Sequence, residues 1–123
     1  MSEAKYSYKY RWYYFDPNAG KRGKLIEFCK GSNEDGFEYI VAKYLDKLNA
    51  QIGESKDYWM VSAISIEMKT DLGIVNFSFE DFGYVFLSGD NNILDEIDII
   101  LAKHPDWKKI EVFERDYHLK KGI

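Results

Sequence analysis

The sequence predicts an α+β fold, an antiparallel sheet of about five to six strands with two helices packed on it, in the order β-β-α-β-β-β-α-β. Three observations predict it. Asp57 to Asp90 reads as three successive strands joined by two tight turns, Tyr6 to Phe15 alternates aromatic with polar residues, and two further stretches place apolar residues at helical spacing. Residues 1–123 are expected to form one domain, because no linker or internal repeat divides them.

The central stretch carries the clearest pattern. Ile64, Ile66 and Met68 alternate with Ser65, Glu67 and Lys69, and Val75, Phe77 and Phe79 alternate with Asn76, Ser78 and Glu80. A period of two puts one side of each strand on a core and the other in water. Thr70-Asp71-Leu72-Gly73 and Asp81-Phe82-Gly83 each supply a glycine for the positive φ of a tight hairpin.

Upstream, Tyr6, Tyr8, Tyr10, Trp12 and Tyr14 share one side of the first strand, with Ser7, Lys9, Arg11 and Tyr13 on the other. Asp16-Pro17-Asn18-Ala19-Gly20 ends that strand, and Lys24 to Lys30 is expected to return beside it. A helix is then expected from Asn33 to Gly53, with Phe37, Ile40, Val41, Tyr44, Leu45, Leu48 and Ile52 as its apolar stripe and Ser32 or Asn33 as its cap. A second helix spans Asn91 to His104, buried through Ile93, Leu94, Ile97, Ile100 and Leu101, capped by Asp90, Asn91 or Asn92 and stopped by Pro105. Lys109 to Phe113 closes the sheet, and the charged tail 114–123 is expected to fray.

Composition narrows the function classes. With 46% hydrophobic and 31% charged residues the chain is globular, and its short apolar runs exclude a helical membrane span. Cys29 is the single cysteine and Met1 to Lys5 lacks an apolar signal core, which together predict a cytoplasmic protein. The net charge of −4 is unevenly placed: Met1 to Lys24 holds six basic and two acidic residues, whereas Asn33 to Asp106 holds five basic and fifteen acidic. Such asymmetry speaks about partners rather than fold.

No nucleotide-binding, acyl-transfer or kinase signature is present, and Asp81-Phe82-Gly83 stands alone as a turn. Cys29 has no neighbouring base in sequence, and His104 and His118 lack metal-ligand spacing, so neither a catalytic centre nor a metal or cofactor is expected. Two surface features remain. The basic, aromatic first strand could stack bases through Tyr8, Tyr10 and Trp12 with Arg11 on phosphate, as a single-stranded nucleic-acid module does. The acidic region, Glu80, Asp81, Asp90, Asp95, Glu96 and Asp98 with the aromatic anchors Phe82 and Tyr84, is expected to form a docking patch for a basic partner. A third reading places a small-ligand pocket between helix and sheet, lined by Tyr44, Tyr58 and Trp59.

In size, charge and architecture the chain resembles the bacterial immunity proteins of colicin-like and contact-dependent toxin systems. The resemblance implies a non-enzymatic protein that binds and occludes a cognate toxin domain, often a nuclease with a basic cleft; the short apolar runs predict no membrane partner. It carries over no residue roles.

Overall fold

Alternating tyrosines and polar residues make Tyr6–Trp12 the first strand, β1, of the computed structural model, which describes residues 4–12, 24–58, 63–80 and 83–112. It pairs antiparallel with β2 (Lys24–Phe28), in a register that sets Tyr8 opposite Phe28 and Tyr10 opposite Ile26. Residues that face each other across a ladder share a side of the sheet, so Tyr6, Tyr8, Ile26 and Phe28 line one surface. All four are buried.

After β2 come helix α1 (Phe37–Tyr44), a short 3-10 turn at Asp46–Leu48 and strand β3 (Gln51–Tyr58). The meander β4 (Ala63–Thr70), β5 (Gly73–Glu80) and β6 (Tyr84–Ser88) follows, then helix α2 (Asn91–Lys103) and β7 (Trp107–Lys109). Among the described residues these strands form one seven-stranded sheet in the order β3-β4-β5-β6-β2-β1-β7. Every neighbouring pair is antiparallel except β1–β7, which is parallel. Since β6 runs the same way as β1, β6-α2-β7 is a crossover that lays α2 over the strands between its ends.

Two expectations need correcting. The first helix is eight residues rather than twenty-one, and Gly36 at φ 69 caps it instead of Ser32 or Asn33. Asn49 in the left-handed region (φ 52) ends the 3-10 turn, and Ile52 packs its partly buried side chain against the core from a strand, opposite Met68. Pairing with β4 along most of its length outweighs the helix-favouring Gln51, Glu54 and Lys56. The sheet therefore has one strand more than expected, and it is mixed because β7 pairs with the chain's first strand. β7 also starts two residues early, at Trp107. The tail 114–123 lies outside the described residues.

The core lies between the helices and one side of the sheet. From α1 come Phe37, Val41 and Leu45, and from α2 Ile93, Leu94, Ile97 and Leu101; they meet Met68, Val75, Phe77, Val85 and Leu87 from the strands. Trp107 sits within an aromatic cluster, its ring centroid 4.9 Å from Tyr6, 5.5 Å from Tyr44 and 5.8 Å from Phe28. Ring contacts of this kind contribute about 0.5–1.5 kcal/mol each beyond burial.

Candidate functional site

The carboxylates of α2 divide by helical phase. Asp95 and Asp98, one turn apart, face the sheet and are occupied there. The Tyr8 hydroxyl donates to Asp98 Oδ1 at 2.7 Å, Lys109 Nζ lies 2.9 Å from Asp98 Oδ2, and the Tyr10 hydroxyl donates to Asp95 Oδ1 at 2.5 Å. Lys24 Nζ stands 3.8 Å from Asp95 and also over the Tyr10 ring. Burial, reinforced by these carboxylates, raises the pKa of both phenols, so they remain protonated donors. This row fastens α2 to β1.

Glu80 and Tyr84 sit elsewhere. They oppose each other across β5–β6, on the side of the sheet away from the helices. There the Tyr84 hydroxyl accepts from an Arg11 guanidinium nitrogen, and Arg11 Nε lies 2.7 Å from Glu27 Oε1. β6, roughly 13 Å long at a strand's rise per residue, separates Tyr84 from Asp90. The described members of the expected patch therefore do not meet on one surface; the sheet lies between them. Asp81 and Phe82 lie outside the described residues.

Asp90 and Glu96 do come together. Asp90 caps α2, its Oδ1 accepting from the Asn92 amide at 2.8 Å, and Glu96 is exposed about 1.7 turns further on. With Asn92, Ile93 and Leu72 they line a shallow depression of about 320 Å³. Leu72 reaches it because the β4–β5 turn rests on α2: a Cβ on Gly73 would stand 2.9 Å from Ile93 Cδ1. Thr70 Oγ1 stiffens that turn, accepting from the Leu72 amide and donating to the Gly73 carbonyl. Asp71 adds a third exposed carboxylate beside Leu72, accepting from Asn49 Nδ2 at 2.7 Å. Among the described residues none of these three carboxylates has an ion-pair partner. Leu72 itself is 50% exposed. A large apolar residue at a hairpin tip was the signal available in the sequence.

No family model, curated protein or solved structure matches the chain. The remaining sites rest on geometry alone.

Of the three stacking residues in the nucleic-acid reading, Tyr8 is fully buried beneath α2 and cannot present its ring to a base, Tyr10 is half-buried with its hydroxyl on Asp95, and the Trp12 side chain lies outside what is described. Arg11 is 8% exposed and holds Glu27. Of the expected small-ligand pocket, Trp59 and the Tyr58 side chain lie outside what is described, but Tyr44 lines a shallow groove of about 480 Å³ with Tyr6, Ile40, Lys43 and His104. Three of its polar side chains hold hydrogen bonds to Glu34 and Asp106 beside it. Tyr44 donates to Asp106 Oδ2 at 2.8 Å, Tyr6 donates to Glu34 Oε2 at 3.2 Å, and His104 Nδ1 accepts from the Asp106 amide at 3.1 Å. Burial first, and then Asp106, raises the Tyr44 pKa. Cys29 is half-buried with Sγ 3.7 Å from the Glu27 carbonyl, and burial together with Glu27 raises its pKa, which opposes thiolate chemistry. Among the described residues no cluster of three potential metal ligands occurs, and no helix is long and apolar enough to cross a membrane.

Proposed function

We propose that this protein is a non-enzymatic immunity protein that binds a cognate toxin domain and occludes it, docking through the acidic end formed by the β4–β5 turn and the start of α2. The observation that carries the reading is the half-exposed Leu72 flanked by Asp71, Asp90 and Glu96, three carboxylates without ion-pair partners among the described residues. Exposed like charges speed encounter with a cationic surface, while an apolar anchor at their centre slows dissociation. The rigid turn keeps the ordering cost of binding low.

The proposed contact set is narrower than the sequence alone suggests. Asp90 and Glu96 belong to it, and Asp95 flanks it while held by Tyr10 and Lys24. Asp98 serves the α2–β1 seam, and Glu80 and Tyr84 lie on the other side of the sheet. The test is co-purification with the product of the adjacent reading frame, followed by association kinetics at low and high salt. A complex whose on-rate falls with salt and with Glu96→Lys supports the reading. A high-affinity complex indifferent to both would move the docking surface elsewhere, and no complex with any basic toxin domain would remove the function.

A further inference from the structure

The two edges of the sheet are unequal. β7 presents three residues, whereas β3 presents eight, Gln51–Tyr58. Among the described residues no hydrogen bond is made on the outer side of β3. Open edges of this length recruit further strands unless something prevents it. A register shift at Gly53–Glu54, between the pairs Ile52–Met68 and Ser55–Ile66, kinks one end of β3 and limits how far a foreign strand could zip along it. Glu54 lies within the kink and Ser55 and Lys56 directly follow it; all three are exposed, and neither charge has an ion-pair partner among the described residues.

These charges are self-complementary in one register only. Let two copies of β3 lie antiparallel about a two-fold axis through Ser55. Glu54 of each copy then faces Lys56 of the other, giving two opposite-charge pairs across the new ladder. Sliding one strand by two residues brings Glu54 opposite Glu54 or Lys56 opposite Lys56. Sliding by one residue leaves both without an opposite charge to face. Directly opposed like charges destabilise a ladder and opposite charges stabilise it, so the pattern selects one alignment and opposes its neighbours. A two-fold arrangement of this kind is an isologous interface, in which one patch meets itself.

We propose that the outer edge of β3 pairs with the same edge of a second copy of this chain, joining two seven-stranded sheets into one through the Glu54–Lys56 register. The helices of both copies then lie on the same side of the joined sheet. The ladder is short because of the kink, so the dimer is reversible and depends on concentration.

Sedimentation velocity over a concentration series tests this, with the wild type expected to pass from the monomer to twice its mass. Glu54→Lys and Lys56→Glu each place like charges opposite one another in the only favoured register, and each is expected to remain monomeric. Mixing the two variants restores opposite charges at both positions and is expected to give a heterodimer, as is the double exchange Glu54→Lys/Lys56→Glu a homodimer. The mixture is its own folding control, because only folded partners can pair. A wild type that stays monomeric throughout would overturn the proposal. So would single variants that still dimerise, or a mixture that does not.

Discussion

The Tyr8 hydroxyl, fully buried in β1, donates a 2.7 Å hydrogen bond to the Asp98 carboxylate of α2, ninety residues later in the chain. It also lies 3.1 Å from the Asp98 backbone carbonyl, and Lys109 holds the second carboxylate oxygen. One side chain thus links the first strand, the last helix and the last strand. Removing it strands both a buried phenol and a lysine. Asp98→Ala is expected to destabilise the fold by about 1–3 kcal/mol in urea unfolding. Tyr8→Phe should cost less, and the double variant should fall short of the sum, because the two groups are partners.

The same contacts make stability sensitive to alkali. Burial and neighbouring carboxylates raise the pKa of Tyr8, Tyr10 and Tyr44 above the ordinary 10.0. In the unfolded chain these phenols ionise as pH passes 10.0, while the folded chain still keeps the protons. Above that point the unfolded state binds fewer protons, so stability falls as pH rises; below it the contribution is complete. Urea midpoints should decline on the alkaline side, with tyrosinate absorbance from these residues appearing only as the protein unfolds. Tyr8→Phe should make that decline shallower.

Two glycines separate backbone strain from crowding. Gly31 has φ 86, and a Cβ there would stand 2.4 Å from Tyr6 Cδ1, a ring held in the aromatic cluster. Gly31→Ala is expected to cost about 2–4 kcal/mol, combining left-handed strain with displacement of Tyr6. Gly83 has φ 73 and open space around it, so Gly83→Ala should cost only the strain, about 1 kcal/mol. Thermal or urea unfolding of the pair reads the difference directly.

The docking end should behave oppositely. Leu72→Ala and Glu96→Lys alter exposed side chains and are expected to change stability by no more than about 0.5 kcal/mol. In complex with a basic partner, Leu72→Ala should accelerate dissociation and Glu96→Lys should slow association, the latter with reduced salt dependence. Surface-binding kinetics at two ionic strengths would show whether anchor and steering charge separate in this way.

Much of this architecture was legible from residue order, and the failures have physical causes. Strict alternation gave β1, β4 and β5, and both Asp90 at the cap and Pro105 at the stop bounded α2 closely. β3 was hidden because Gln51-Ile52-Gly53-Glu54-Ser55 neither alternates nor favours a strand; only its partner β4 makes it one. The parallel pairing of Tyr6 with Trp107 is a contact across the whole chain, which no local pattern encodes. The acidic patch failed in part for a similar reason. Composition shows how many carboxylates α2 carries, but only helical phase against the sheet assigns Asp95 and Asp98 to tyrosines and leaves Glu96 outside. In the sequence Leu72 belongs to a turn, and its exposure beside acidic groups is decided only by where α2 lies.

The position of Trp107 also bears on the order in which the fold can close. Tyr6, Phe28, Phe37 and Tyr44 are all synthesised long before the indole around which they gather. A chain without that late residue would lack both the indole at the centre of these four rings and the parallel strand that pairs with β1. Closing the aromatic cluster therefore waits on contacts of long sequence separation, which form slowly.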